Sequence, residues 1–181
     1  MLQRCKYYWR LMRFDKPIGI YLLLWPTLWG VWAAAHGQPS IKILFVFILG
    51  TILMRAGGCV INDIADRKID SHVKRTAQRP LASGKVTLRE SWILFLCCSL
   101  LSFSLVLLLN PMAIMLSFIG IALTILYPFM KRWLDAPQLI LGLAFAWGIP
   151  MAYAAIQEKL PWQCWFLYGL VVLLAVAYDT L

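Results

Sequence analysis

The chain has 181 residues, of which 62% are hydrophobic and 14% charged. Soluble domains average about 45–50% and about 25%, so composition excludes an ordinary soluble fold and indicates an integral membrane protein. A formal net charge of +9 could suit nucleic acid in a soluble protein. Beside long apolar blocks it reads instead as basic loops on the cytoplasmic side of a membrane, with no nucleic-acid partner.

Arg4, Lys6, Arg10, Arg13 and Lys16 precede the first apolar run, which is too long for the core of a cleavable signal peptide. Six apolar segments follow, at 18–35, 43–64, 92–109, 112–130, 138–156 and 162–180. Each approaches or reaches the ~20 helical residues that cross ~30 Å of hydrocarbon. No alternating pattern of membrane strands is present, and a helix satisfies its own backbone in lipid. The fold expected is all-α, a polytopic helical bundle with six spans, and residues 1–181 form one transmembrane domain. Asn110-Pro111 makes a tight connection, and Pro26, Pro128 and Pro150 are expected to kink their helices. The five cysteines are odd in number and match neither a disulfide framework nor a zinc site.

Basic residues give the orientation. Five lie in the N-terminal arm, seven between Asp66 and Glu90, and Lys131 and Arg132 in the next loop on that side; the other side holds only Lys42 and Lys159. The N-terminus and the Asp-rich loop are therefore expected to be cytoplasmic. Arg55, within the second span, has two readings: bonded to backbone carbonyls, or lining a polar cavity; facing lipid is the least favourable.

The richest stretch is Asn62-Asp63-Ile64-Ala65-Asp66-Arg67-Lys68-Ile69-Asp70. At ~100° per residue, Asn62, Asp63, Asp66 and Asp70 fall within ~100° of arc on one helical face. Such a face repels itself unless a cation neutralises it. Oxygen ligands select a hard ion, Mg²⁺ above all, which commonly also holds substrate phosphate. The plainer alternative is a solvated acidic helix end paired with Arg67 and Lys68. Lys74, Arg75 and Arg79 follow, and these bases suit phosphate oxygens. A departing diphosphate gathers negative charge and needs both kinds of help. The tryptophans near span ends read as an interfacial belt. Trp25 or Trp147 could instead line a cavity and present a ring face to a cation.

The run from Asn62 to Asp70 resembles the first aspartate-rich motif, N-D-x-x-D-x-x-x-D, of the UbiA superfamily of intramembrane aromatic prenyltransferases. Arg10-Leu11-Met12-Arg13-Phe14-Asp15-Lys16-Pro17-Ile18-Gly19, Leu24-Trp25-Pro26-Thr27-Leu28-Trp29, the His72–Gly84 stretch, Tyr127-Pro128-Phe129-Met130-Lys131-Arg132 and Ala177-Tyr178-Asp179-Thr180 are similar to its 4-hydroxybenzoate polyprenyltransferase branch, in the same order. The resemblance implies a bacterial inner-membrane bundle, usually of nine spans, with a polar cavity beneath cytoplasmic loops. It implies transfer of a polyprenyl group from polyprenyl diphosphate to the 3-position of 4-hydroxybenzoate, on the ubiquinone pathway. It assigns Mg²⁺ to Asn62, Asp63, Asp66 and Asp70. Catalytic roles go to Arg67, Tyr127, Lys131 and Arg132, and substrate binding to Lys74, Arg75, Arg79 and Arg132. Arg132 is the choice for the aromatic carboxylate and Lys131 for diphosphate, with Arg67 a competitor.

A second aspartate-rich motif should follow Tyr178-Asp179-Thr180, but the sequence closes at Leu181. The expectation is a C-terminally truncated member, inactive alone for want of that motif. An inactive truncated remnant and a non-enzymatic transporter subunit are the alternatives. A transporter would cluster its polar groups near the bilayer midplane, whereas here they gather at one membrane face. A phosphatidyltransferase signature would need a D-G dipeptide, but Asp63, Asp66 and Asp70 precede Ile64, Arg67 and Ser71.

Overall fold

A computed structural model describes residues 2–130 and 136–180. Those residues form eight helices: α1 (Leu2–Leu11), α2 (Ile18–Ala34), α3 (Ile41–Asp70), α4 (Leu88–Val106), α5 (Pro111–Met130), α6 (Pro137–Ala146), α7 (Gly148–Gln157) and α8 (Trp162–Thr180). Helices α3, α4, α5 and α8 are long and apolar enough to cross a membrane, as is the stretch Pro137–Gln157 that α6 and α7 share; α2 is a shorter apolar helix of 17 residues. The six expected spans are thus α2, α3, α4, α5, α6 with α7, and α8.

Local chemistry sets the boundaries. Ser40 caps α3, its hydroxyl accepting from the Ile43 amide. Thr87 and Glu90 form a reciprocal capping box at the start of α4, so that helix begins four residues earlier than hydropathy predicts. Asn110 accepts from the Ala113 amide through its side-chain oxygen and donates to the carbonyls of Ala154 and Ala155. One residue therefore starts α5 and ties it to the end of α7. Pro150 has no N–H for the Ala146 carbonyl and its ring crowds that group; the helix breaks at Trp147, between α6 and α7. Pro26 and Pro128 lie inside continuous helices.

Helix α3 runs to Asp70, six residues beyond the expected end of the second span. The start of the expected Asp66–Glu90 loop is therefore helical, and the whole acidic motif rides on one rigid rod. At ~1.5 Å per residue its 30 residues measure ~45 Å, against ~30 Å of hydrocarbon. The motif occupies the third of the helix that outruns the apolar layer.

Helix α3 packs along α4, α2 against α7 and α3, and α6 against α8. One apolar core joins Ala34, Ala146, Ile149, Tyr153, Cys164 and Val171. A second joins Leu11 of α1 with Val60, Ile61, Leu81, Val86 and Phe95, beneath the acidic motif. The outward faces of α4, α5 and α8 expose Leu96, Leu101, Met115, Ile119, Leu173 and Leu174, the pattern of a lipid-facing bundle.

Candidate functional site

The four polar residues of the motif divide into two pairs. Asn62 and Asp66 lie ~40° apart on the helical wheel, and Asp63 and Asp70 ~20° apart, one pair beside the other. Asp63 and Asp70 are buried, at 3% and 7% exposure, and both are met by arginines. Arg13 donates to Asp63 Oδ1 at 2.9 Å, and Arg79 donates to the same oxygen at 3.1 Å and to Asp70 Oδ2 at 2.6 Å. Two carboxylates and two guanidiniums form a neutral chain with charge-assisted hydrogen bonds. Burial opposes the Arg13 cation, yet the Asp63 carboxylate, helped by Asp70, holds its guanidinium above the usual arginine value. Thr76 adds a hydroxyl bond to the Asp70 carbonyl at 3.0 Å, binding the following loop to the end of α3.

Asn62 lines an open cavity of about 790 Å³ bordered by α2, α3, α4, α5 and the α6–α7 break. Around Asn62 its wall is polar: Arg13, Arg55, Arg75, Arg79, Tyr127 and Asp179. Further in it is largely apolar, with Met54, Phe47, Phe103, Leu109, Phe145 and Met151. Asp66 and Asp179 both bear electrostatically on Tyr127, so an acid from α3 and one from α8 stand near the same phenol. This arrangement offers hard oxygen donors and bases at the mouth and apolar surface below.

Among the described residues no three acidic, histidine or cysteine side chains are grouped closely enough to form a cation site. The donors still fit a hard divalent ion in kind. Asn62 lines the cavity from α3 and Asp179 from α8, and Asp66 follows Asn62 one turn along the same side of the helix. Asp63 and Asp70 face their arginines instead.

The remaining candidates separate cleanly. Arg75 and Arg79 line the cavity, whereas Arg67 is half-buried on α3 and Lys74 exposed, neither on the cavity wall. Lys131 and Arg132 lie outside the described residues. Trp147 lines the cavity, its indole N–H donating to the Leu116 carbonyl at 2.9 Å and its ring edge-on to Tyr168. Trp25 is 57% exposed on α2 and belongs to the outer surface.

Sequence reasoning missed Arg13 as a site residue. It was one of five bases in an arm, and nothing local separates it from Arg10; its partner lies 50 residues away. Arg55 proves to do both things considered for it. It donates to the carbonyls of Met12, Arg13 and Lys16 at 3.0, 3.1 and 3.4 Å, and it also lines the cavity.

The sequence model of the UbiA prenyltransferase family matches residues 23–181. The chain is 58% identical over 179 residues to the 4-hydroxybenzoate octaprenyltransferase of Vibrio vulnificus (strain CMCP6), covering 99% of this chain and 63% of that protein. It is 55% identical over 178 residues to the enzyme of that name from Coxiella burnetii (strain CbuK_Q154), covering 98% and 62%. The chain thus spans about 63% of the length of these curated relatives. A solved UbiA homolog from Aeropyrum pernix K1, in its apo form, superposes with a TM-score of 0.77 at 28% identity, over 90% of this chain and 61% of that one. A UbiA homolog from Archaeoglobus fulgidus, bound to DMAPP and Mg²⁺, superposes with a TM-score of 0.78 at 19% identity, over 94% and 60%.

Proposed function

This chain belongs to the UbiA prenyltransferase family, and from that premise we propose that it provides the prenyl diphosphate site of a 4-hydroxybenzoate polyprenyltransferase of the ubiquinone pathway. The observation that carries this reading is the polarity gradient of the cavity: arginines and oxygen donors at one end, uncharged and mostly apolar walls through the rest. A prenyl diphosphate has that gradient. Its tail gains ~25 cal/mol for each Å² of apolar surface removed from water, while its head needs cations to leave. The names of the curated relatives support 4-hydroxybenzoate as acceptor.

Asn62 and Asp66 are the residues we assign to Mg²⁺, with Asp179 nearby and Asp63 and Asp70 held in the arginine chain behind them. Mg²⁺, when bound, neutralises charge that accumulates on the departing diphosphate. The protein's own groups do the rest. Arg75 and Arg79 at the mouth, with Arg13, present guanidinium forks to phosphate oxygens. Arg79 is shared, because its contacts with Asp63 and Asp70 fix its direction before a ligand arrives. Phe103, Phe145 and Trp147 line the part available to the isoprenoid and exclude water from the carbon that is transferred. Tyr127, between Asp66 and Asp179, borders the place where head and tail meet. Arg132 remains our assignment for the aromatic carboxylate and Lys131 for diphosphate, with Arg67 and Lys74 as outlying bases. The site opens toward the cytoplasmic face of a bacterial inner membrane.

The direct test is binding of geranyl diphosphate to the chain in lipid nanodiscs, with and without Mg²⁺. Affinity that rises at least tenfold with Mg²⁺, and loses that rise in Asp66→Asn, supports the site. Absence of binding, or binding indifferent to the metal, would overturn it. Transfer to 4-hydroxybenzoate is then assayed with the sequence grafted into a full-length relative in place of the region it matches.

A further inference from the structure

Residues 9–16 form a tight helix ending whose geometry is specific. The Phe14 amide donates to the Trp9 carbonyl at 3.1 Å, and the Arg13 amide to the Arg10 carbonyl at 3.1 Å. These are the two bonds of a Schellman ending, in which the residue just past the helix turns left-handed. Glycine is usual there, because a side chain is strained at positive φ. Here that residue is Arg13, at φ 55°. The accompanying apolar contact is the Trp9–Phe14 ring pair, with centroids 4.7 Å apart.

An arginine in a glycine position needs something to hold it, and Arg55 is placed to do so. Its Nη1 donates to the carbonyls of Met12 and Arg13, and its Nη2 to that of Lys16, so one guanidinium from α3 bridges three successive points of the turn. Gly19 at the start of α2 makes the room: a Cβ there would collide with Arg55 Nη2. The strained residue in turn sends its own guanidinium to Asp63 at 2.9 Å.

We propose that Arg55 is a positioning residue, which together with Gly19 clamps the α1–α2 turn so that Arg13 presents its guanidinium at Asp63 and the cavity mouth. The clamp is a property of the fold. Its consequence for ligand binding rests on the prenyl diphosphate reading above. Arg55 thus acts through Arg13 rather than on the ligand.

The experiment has two arms on the 181-residue chain in nanodiscs. In the first, amide hydrogen exchange is followed across residues 12–20, which reports local opening. Arg55→Gln is expected to speed exchange there at least tenfold while residues 41–52 of α3 keep their rates. Gly19→Ala, which keeps the charge and displaces only the guanidinium, is expected to do the same to a smaller degree. Arg13→Gln removes the Asp63 tether but keeps the three Arg55 bonds, and is expected to speed exchange at residues 14–20 less than Arg55→Gln does. Unchanged exchange in both Arg55→Gln and Gly19→Ala would overturn the clamp, whatever happens to ligands.

The second arm measures geranyl diphosphate affinity in the presence of Mg²⁺. Arg13→Gln and Arg55→Gln are each expected to weaken it five- to twentyfold, and the double variant no more than the weaker of the two singles. A double variant whose loss equals the product of the singles would mean that Arg55 meets the ligand independently, and would overturn the positioning role. A parent chain that binds no geranyl diphosphate would refute the functional reading alone, with the exchange arm still deciding the clamp.

Discussion

At the scale of single residues, four neighbouring positions on one helix divide into two tasks. Asp63 and Asp70 are buried and neutralised by Arg13 and Arg79; Asn62, on the cavity wall, and Asp66 share the other side of the arc. Removing one member of a buried ion pair leaves the other charge uncompensated, at about 3–5 kcal/mol. Arg13 and Arg79 keep 31% and 26% of their side-chain surface in contact with solvent, which relieves part of that. Asp63→Asn is therefore expected to destabilise the protein by about 2–3 kcal/mol, read as a lowered thermal midpoint in detergent. Asp66→Asn is expected to remove the Mg²⁺ dependence of diphosphate binding. If Asp63→Asn left the midpoint unchanged, or Asp66→Asn kept the full Mg²⁺ dependence, this division of the motif would be wrong.

At the scale of elements, close approach of helices decides where size is tolerated. Helices α2 and α7 meet where Gly30 faces Ile149; a Cβ on Gly30 would stand 2.9 Å from the Ile149 Cα, which is backbone and cannot swing aside. Gly30→Ala should cost about 1–3 kcal/mol through overpacking, and a chemical or thermal denaturation series in detergent would measure it. Gly50→Ala, whose Cβ would find only the Ser102 hydroxyl at 3.8 Å, should stay within about 0.5 kcal/mol. A larger loss at Gly50 than at Gly30 would show that the α2–α7 contact is looser than described. These elements were legible in the sequence to different degrees. The spans were, because lipid demands long apolar helices whatever their neighbours. The continuation of α3 to Asp70 was less so, since hydropathy falls off at Ile64 while the backbone hydrogen bonds do not. The break before Gly148 followed from Pro150. The arginine chain was not legible at all. Asp63 draws its partners from 50 residues upstream and 16 downstream, and the packing of Leu11 with Val60, Ile61 and Leu81, with the Arg55 bonds to Met12, Arg13 and Lys16, brings those segments together.

At the scale of the whole molecule, the length of α3 links fold to membrane. Its capped start at Ser40 lies on the side of the 35–40 turn and of Lys159. Its far end, ~45 Å away by helix rise, carries the acidic motif and the 71–87 loop. An apolar layer of ~30 Å that begins near Ile41 ends near Val60, so the arginine chain and the polar rim of the cavity sit at one interface, where a charged head is still hydrated and a lipid tail is already in hydrocarbon. The basic residues crowd that same end: Arg67, Lys68, Lys74, Arg75, Arg79, Lys85 and Arg89. By the bias of basic loops this end is expected to face the cytoplasm, where the proposed aromatic acid and diphosphate substrates would be supplied. Single cysteines at Ser83 and Lys159, both exposed, test the orientation in a background with Cys5, Cys59, Cys97, Cys98 and Cys164 replaced. With an impermeant thiol reagent, Lys159→Cys should label in intact cells whose outer membrane has been permeabilised, and Ser83→Cys only after the inner membrane is opened. The reverse order would place the acidic motif outside, and would remove the cavity mouth from the compartment that holds its proposed substrates.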